Sequence, residues 1–219
     1  MAASTLSNQN DSPEQFESLL LISLIKVKQV PHTMATSDIP LVVLLISGKR
    51  KCGKDFLTER LLQRLTTERA QVIRISEPIK RSWAETSGLD LEKLLGDSPY
   101  KEQYRKEMIE WSDRKRAEDY GCFCRQACSN LSKEICIVSD IRRKTDVRFF
   151  REQFGQRVKS VRIVADDATR MQRGWAFREG VDNVQSECDL DEFTEWDLVV
   201  TNDSGTDVEE ILKTIEALL

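Results

Sequence analysis

The chain has 219 residues, enough for one α/β domain with a sizeable hydrophobic core, and 32% of them are charged. Its formal net charge is −4, so no overall basic field exists to hold nucleic acid, and an anion site must be a local cluster. The only histidine, His32, lies outside the segment that we take to be the domain, which excludes His-dependent triads and His-rich metal centres.

The first 38 residues differ in composition from the rest of the chain. MAASTLSNQNDSPEQ is polar and is predicted to be disordered, and the apolar run at 19–25 is too short to span a bilayer. Lysines follow this run instead of preceding it, unlike in a signal peptide. We favour a dispensable extension, with Met34 as an alternative start, over a loosely docked amphipathic helix. The domain is then expected to cover residues 39–219.

From residue 39 onward, apolar segments alternate with helical patterns. Strands are predicted at 41–47, 71–76, 135–140, 157–164 and 196–202. Helices are predicted at 54–65, 145–154 and 208–219, with a helical insert at about 77–131. The alternation indicates an α/β fold with about five parallel strands and helices on both faces.

A glycine-rich loop follows the first strand. Residues 48–54, GKRKCGK, match the phosphate-binding pattern G-x-x-x-x-G-K between a buried strand and an amphipathic helix, which predicts a three-layer P-loop NTPase fold. In such a loop the backbone wraps a phosphate, and Lys54 reaches the terminal phosphates. Cys52 supplies a small side chain, and we expect no catalysis by its thiol.

Asp55 stands where the pattern has Ser or Thr, whose hydroxyl binds magnesium. We hypothesise that its carboxylate takes over the magnesium contact or orients a lysine. The positive charges that would offset it are Lys49, Arg50, Lys51 and Lys54.

The chain contains six cysteines. The C-x-C-x-x-x-C run at 122–128 has no matching second half and no nearby histidine, so it lacks the spacing of a zinc site. Buried free thiols in a reducing compartment are predicted instead.

The third predicted strand ends in charged residues. Asp140 lies where nucleotide-binding folds hold magnesium or its water, but it could equally be the N-cap of the helix predicted to follow. Arg142 and Arg143 come next, at the sheet edge where ligands bind in open α/β sheets. We expect both guanidinium groups to make bidentate contacts with an anionic substrate.

Two further segments carry several cationic side chains. In the insert, Lys101, Arg105 and Arg116 could share one helix face, although exposed ion pairs would account for about half of the cations there. The second segment, residues 165–180, follows the fourth strand. Its arginines are Arg170, Arg173 and Arg178. This pattern predicts a mobile lid that closes over a transferring phosphoryl group, with a plain basic loop as the alternative.

These features together describe a small-molecule kinase of the nucleoside monophosphate kinase architecture. The chain resembles the animal phosphomevalonate kinase family over residues 40–204. The strings that show the resemblance are SGKRKCGKDF, YKEQYRKEMIEW, FCR, VSDIRR, VRIV, QRGW and SECDLD. The loop of this family also ends in Lys-Asp. The resemblance implies transfer of the γ-phosphoryl group of ATP to (R)-5-phosphomevalonate, giving 5-diphosphomevalonate and ADP in the mevalonate route to isoprenoids and sterols.

The resemblance also implies roles for residues of this chain. The ATP site would comprise Gly48, Lys49, Arg50, Lys51, Cys52, Gly53, Lys54, Asp55, Arg162, Arg173 and Asn202. The substrate would contact Lys80, Lys101, Arg105, Arg116, Arg125, Arg142, Arg143 and Asn202. The catalytic groups would be Lys49, Lys54, Arg142, Arg143 and Arg173, and Arg162 would also act on the transferring phosphoryl group. The Mg²⁺ ion carried by ATP would lie near Asp55 and Asp140.

The implied acceptor is already a phosphate monoester, largely ionised near neutral pH because its second pKa is about 6. The protein must therefore mainly suppress repulsion between two anions, which fits many arginines, one magnesium ion and no histidine. The alternatives are a kinase with another acceptor, such as a nucleoside monophosphate, and a non-catalytic ATP-binding module. We expect a monomer with no nucleic-acid partner and no stable membrane insertion. The chain ends in Ala-Leu-Leu, unlike the peroxisomal Ser-Arg-Leu of some family members, so the cytosol is expected.

Overall fold

A computed structural model describes residues 39–96 and 99–219, so the predictions made for residues 1–38 lie outside the described part of the chain. Five strands in that part form one parallel sheet in the order β2-β3-β1-β4-β5. They are β1 Val42–Ser47, β2 Ala70–Ile73, β3 Ile135–Ile141, β4 Val158–Val164 and β5 Leu198–Thr201. The predicted five-stranded parallel sheet is confirmed.

The helices of the described residues follow the predicted alternation. They are α1 Lys54–Leu65, α2 Ser76–Ser87, α3 Leu91–Leu95, α4 Pro99–Glu118, α5 Cys122–Ala127, α6 Lys144–Phe154, α7 Asp167–Gln172, α8 Gln185–Cys188 and α9 Val208–Glu216. A 3-10 turn, Gly155–Arg157, joins α6 to β4. Helices α2 to α5 fill the connection between β2 and β3 and form the predicted insert. Among the helices described, none combines the length and the apolar character needed to cross a membrane.

The sheet is buried between two layers of helices. On one face, Leu57 and Leu61 of α1 and Ile211 of α9 share a hydrophobic core with Leu44 of β1. On the other face, α6 lies against β1 and β4 and buries its apolar side chains. Burial on both faces explains why β1 is a continuous apolar run without polar alternation, since residues 43–46 are each at most 1% exposed.

The second strand ends earlier than predicted, at Ile73, because a neighbouring carboxylate starts a helix there. Asp140 of β3 accepts hydrogen bonds from the backbone N–H groups of Ile75 (2.7 Å) and Ser76 (2.9 Å). N–H groups at a helix start have no partners inside the helix. Asp140 therefore caps α2. The prediction that it caps the helix following it in the chain was wrong, since that helix begins only at Lys144.

All six cysteines are free thiols. Four of them are buried: Cys52, Cys124, Cys128 and Cys136. Burial raises the pKa of Cys128 to about 12 and also raises the pKa of Cys136 above its usual value. The thiols of Cys128 and Cys136 therefore stay protonated near neutral pH and behave as small apolar side chains.

Replacing Asp140 with Ala is expected to lower the free energy of unfolding by about 1–2 kcal/mol, because two N–H groups at the start of α2 lose their acceptor. Asp140→Asn keeps an acceptor oxygen and should lose less. Urea denaturation followed by circular dichroism measures both changes. Equal unfolding free energies for the wild type and Asp140→Ala would show that this carboxylate does not hold the start of the helix.

Candidate active site

The loop between β1 and α1 is shaped by two glycines. Gly53 has a left-handed backbone with φ of 94°, and a Cβ atom there would overlap the side-chain nitrogen of Asn202. A Cβ atom on Gly48 would overlap the carbonyl oxygen of Ile163 in β4. Lys51, at the exposed tip, also has a positive φ of 63°. The loop therefore lies directly against the carboxyl ends of β4 and β5.

Side chains that follow β4 and β5 hold this loop by its carbonyl groups. The carbonyl oxygen of Cys52 accepts hydrogen bonds from Asn202 Nδ2 (2.9 Å) and Arg173 Nη1 (3.2 Å). The carbonyl oxygen of Arg50 accepts a hydrogen bond from Arg170 Nε (2.9 Å). Asn202 and Arg173, which were both predicted to belong to the nucleotide site, are thus placed at the loop, and Arg170 is a further anchor.

Lys54 begins α1 and is buried, with only 7% of its surface exposed. Its ammonium group lies 3.5 Å from the carbonyl oxygen of Lys49. Burial lowers the pKa of Lys54, and the nearby charge of Arg142 lowers it further, whereas Asp55 acts in the opposite direction. Burial destabilises the charged form of this ammonium group, and a bound anion such as a phosphate would stabilise it. The position of Lys54 therefore suits phosphate binding.

The two carboxylates predicted to lie near magnesium differ in their surroundings. Asp55 is exposed in the first turn of α1. Both oxygens of Asp140 accept a backbone hydrogen bond, which leaves only their remaining lone pairs for a metal or its water. Within the described ranges, no three His, Cys, Asp or Glu side chains are grouped as a metal site. Mg²⁺ bound mainly through substrate phosphates needs only one or two carboxylates, so the residues present fit that mode.

A set of carboxylates at the site was not predicted from the sequence. They come from one stretch, residues 182–191, which we call the acidic segment. Its ion pairs are Arg50–Asp182 (3.0 Å), Arg142–Glu187, Lys49–Asp191 (2.6 Å) and Arg162–Asp191 (3.2 Å). The SECDLD string lies inside this segment. No role could be assigned to it from spacing, because its partners are far away in the chain.

Asp182 ties the segment after α7 to the loop. Its carboxylate accepts hydrogen bonds from Arg50 Nη1 (3.0 Å), Trp175 Nε1 (3.1 Å) and the backbone N–H of Arg178 (2.8 Å). Burial alone would raise the pKa of Asp182, but these hydrogen bonds and the charge of Arg50 hold it below its usual value. The carboxylate is therefore ionised near neutral pH, and the link between the two segments is present there.

Arg116, Arg142 and Arg143 meet at one buried carboxylate. Asp146 of α6 accepts hydrogen bonds from the backbone N–H groups of Arg142 (3.3 Å) and Arg143 (3.1 Å). It also pairs with Arg116 Nη1 at 2.6 Å, and the Arg143 guanidinium pairs with Asp113. Arg116 Nε is buried and lacks a hydrogen-bond partner in the part of the chain that the structure describes. An unused buried donor of this kind suits an anionic ligand.

Two other predicted substrate contacts take part in ion pairs inside the insert. Arg105 pairs with Glu102, three residues earlier on α4, at 2.5 Å. This is a local ion pair of the kind expected for about half of the cations in the insert. Arg125, on α5, also belongs to a surface ion pair. Lys80 lies partly buried on α2, and the side chain of Lys101 is outside the described part. A substrate role for these four residues stays a prediction.

A cavity of about 320 Å³ lies beside the loop. It is lined by Phe56 of α1, by Arg173 and Asn202, and by residues 203–206 after β5. Phe56 is 47% exposed, so its ring is available at the cavity instead of packing in the core. The sequence contained two signals for this cavity that were missed: an aromatic residue next to the loop, and the Asp-Ser-Gly-Thr turn after the fifth strand.

Comparison with known proteins finds that the relatives of this chain are kinases of small molecules. A family model described as phosphomevalonate kinase matches residues 46–156. A curated phosphomevalonate kinase of Drosophila melanogaster is 52% identical over 175 residues, covering 77% of this chain and 92% of that protein. A gluconokinase structure from Sinorhizobium meliloti is 13% identical with a TM-score of 0.45, covering 80% of this chain and 90% of its own. A shikimate kinase structure from Aquifex aeolicus is 13% identical with a TM-score of 0.41, covering 80% and 95%. These two structural likenesses are distant and decide nothing about activity.

Gly53→Ala is expected to weaken the binding of Mg²⁺ and ATP by at least about 10-fold, because alanine is strained at this φ and its methyl group must displace Asn202. Isothermal titration calorimetry measures the affinity. Gly155→Ala is the matched control, since its φ of 56° is also left-handed but nothing lies within 4 Å of the added methyl group. Wild-type affinity in Gly53→Ala would show that the close approach of Asn202 does not shape the nucleotide site.

Proposed function

The chain belongs to the phosphomevalonate kinase family, and on that premise we propose that the loop and the arginines after β3 form the site of phosphoryl transfer. The reaction moves the γ-phosphoryl group of ATP to (R)-5-phosphomevalonate, giving 5-diphosphomevalonate and ADP in the mevalonate pathway. The observation that supports this site best is that two cation groups meet at one sheet edge. The loop with Lys54 follows Ser47 of β1. Ser47 pairs in register with Ile141 of β3, which directly precedes Arg142. One group suits the donor and the other suits the acceptor.

ATP fits the loop side of the site. The loop backbone and Lys54 would hold the β- and γ-phosphates at the start of α1. The adenosine would extend into the cavity of about 320 Å³ beside the loop. There the ring of Phe56 and the guanidinium group of Arg173 could stack against a base, since both line the cavity.

Phosphomevalonate fits the arginine side of the site. It carries a phosphate and a carboxylate, and guanidinium groups bind both in bidentate fashion. We assign the acceptor to Arg142, Arg143 and the unused buried Nε of Arg116. A nucleoside monophosphate would need a slot for a second base. In the insert, the aromatic rings of Trp83 and Trp111 pack on each other at 5.6 Å, tilted by 55°, which leaves no parallel slot between them.

Transfer of the phosphoryl group between two anions requires charge neutralisation more than it requires proton transfer. The acceptor phosphate is largely ionised near neutral pH because its second pKa is about 6, so it needs no general base. Lys49, Lys54 and Arg162 would neutralise the charge on the transferring group. Arg142 and Arg143 would hold the acceptor phosphate in line against the repulsion of the donor.

Two parts complete the proposal. Mg²⁺ bound with ATP neutralises further phosphate charge, and Asp55 and Asp140 are the carboxylates that would hold it or its water. Residues 165–180 would act as a lid whose base is fixed to the loop by Arg170 and Arg173. A monomeric state and a cytosolic location stay predictions.

An assay of ADP release tests the function directly. The purified chain is mixed with ATP, Mg²⁺ and either phosphomevalonate or one nucleoside monophosphate at a time. Turnover with phosphomevalonate alone is expected. Turnover of a nucleotide without turnover of phosphomevalonate would identify the alternative kinase, and tight ATP binding with no turnover at all would identify a non-catalytic ATP-binding module.

Arg143→Ala is expected to reduce kcat/KM for phosphomevalonate by a factor that corresponds to about 2–4 kcal/mol, the scale for removing one charge-stabilising donor. The affinity for ATP should change much less, because Arg143 lies on the acceptor side. Arg148→Ala is the matched control: Arg148 lies on α6, which Arg143 directly precedes, is 64% exposed, and contacts Glu152 and the ring of Tyr120 but no cation or carboxylate of the site. If both variants lost activity equally, the acceptor site would not be at Arg143.

ATP binding is expected to be accompanied by proton uptake in alkaline buffer, at a pH below the ordinary pKa of a lysine. The pKa of Lys54 is lowered by burial in the free protein, so part of the population is neutral at alkaline pH, and a bound phosphate favours the charged form again. The dependence of the binding enthalpy on the ionisation enthalpy of the buffer measures the uptake. Lys54→Met should abolish most of it. An unchanged uptake in that variant would assign the proton to another group.

A further inference from the structure

The acidic segment, residues 182–191, is at the site but has no part in the proposed function described so far. A stretch of carboxylates beside a phosphate site is unexpected on charge alone, because it repels the phosphates of ATP. Each of Asp182, Glu187 and Asp191 nevertheless pairs with a cation of the site. The segment is therefore either a competitor of the phosphates or a support for the cations.

Asp191 differs from Asp182 and Glu187 because it forms ion pairs with two cations of the site, and these come from different parts of the fold. Its Oδ2 accepts from Lys49 Nζ at 2.6 Å, and its Oδ1 accepts from Arg162 Nη2 at 3.2 Å. Lys49 belongs to the loop after β1, whereas Arg162 belongs to β4. One carboxylate thus connects the donor loop to the neighbouring strand and leaves the pair of cations with a net positive charge.

Arg162 is held from other sides as well. Its Nη1 donates to Ser47 Oγ at 3.0 Å, and Ser47 Oγ donates in turn to the carbonyl oxygen of Ile141 at 2.9 Å. The guanidinium carbon also lies 5.9 Å from the centre of the Trp196 ring. Burial lowers the pKa of Arg162, and the charge of Asp191 opposes that shift. These contacts fix the guanidinium group in one orientation, with Asp191 as its charged partner.

Two long cationic side chains that point at the same place repel each other and lose rotamer freedom when they are ordered. A carboxylate that contacts both removes the repulsion and fixes both positions before ATP binds. The alternative, in which the carboxylate merely takes the place of a phosphate, predicts the opposite effect of its removal. Without the negative charge, ATP would bind more tightly.

We propose that Asp191 is a positioning residue for phosphoryl transfer, which holds Lys49 of the loop and Arg162 of β4 side by side for the transferring group. The proposal rests on the proposed kinase function. Asp191 acts through these two cations and does not itself touch the reacting atoms. The rest of the acidic segment supports neighbouring cations in the same way, through Arg50 and Arg142.

Asp191→Asn tests this role, because the amide keeps the shape and an acceptor oxygen but loses the charge. We expect kcat to fall roughly 10- to 100-fold, the effect of about an ångström of misplacement, with little change in the KM for ATP. Asp191→Glu keeps the charge and should recover part of the rate. Glu192→Gln is the matched control, because Glu192 is the next residue along the chain and its exposed side chain forms no ion pair with the cations of the site in the part of the chain that the structure describes. It should keep kcat near the wild-type value.

A double-mutant cycle with Lys49→Gln adds a readout that a merely structural role would not move. If Asp191 acts through Lys49, the effect of Asp191→Asn on kcat shrinks in the Lys49→Gln background. Unchanged kcat in Asp191→Asn, or a lower KM for ATP, would overturn the positioning role in favour of competition with phosphate. Equal losses in Asp191→Asn and Glu192→Gln would also overturn it, by showing a general effect of removing negative charge beside the site. The wild type measured in the same assay keeps the two proposals apart: a wild type that phosphorylates neither phosphomevalonate nor a nucleotide ends the kinase function itself.

Discussion

Repulsion between like charges is the constraint on which the site depends. Positive side chains from the loop, from α4, from β4 and from the residues after β3 gather at one edge of the sheet, where an anion can touch several of them. Carboxylates from α4, α6 and the acidic segment neutralise them in pairs, for example Arg143 with Asp113 and Arg116 with Asp146. The negative net charge of the chain is therefore compatible with an anion site, because part of its acidic surplus lies among the site's own cations.

Most of the fold could be predicted from local patterns. β1 and α1 were predicted within one residue of their observed bounds, because a buried parallel strand and an amphipathic helix each leave a clear apolar periodicity. The end of β2 could not be predicted in the same way. The residues after Ile73 would also suit a strand, and only Asp140, which reaches them from β3, turns them into the start of α2. Local propensity was overruled by a contact between distant residues.

In the candidate site, too, the features with a local sequence pattern could be predicted, and the contacts between distant residues could not. The glycine-rich loop and the two arginines after β3 are short motifs with a mechanical reason for their spacing, so they could be recognised directly. The partners of those cations could not, because Asp191 lies far along the chain from Lys49 and nothing in local spacing links them. Phe56 illustrates a different limit: a position in the helix predicted at 54–65 suits both the core and the surface, and the observed packing leaves its ring beside the cavity.

The six cysteines differ in exposure, and Cys188 is one of the two that are partly exposed. Four cysteines are sealed in the interior, and burial also raises the pKa of Cys122, which slows its reaction with alkylating reagents. Cys188 is partly exposed and sits between Glu187 and Asp189, with its thiol donating to the carbonyl oxygen of Asp182 at 3.4 Å. A thiol reagent can therefore label the acidic segment at Cys188, beside the cations of the site, without any cysteine being introduced.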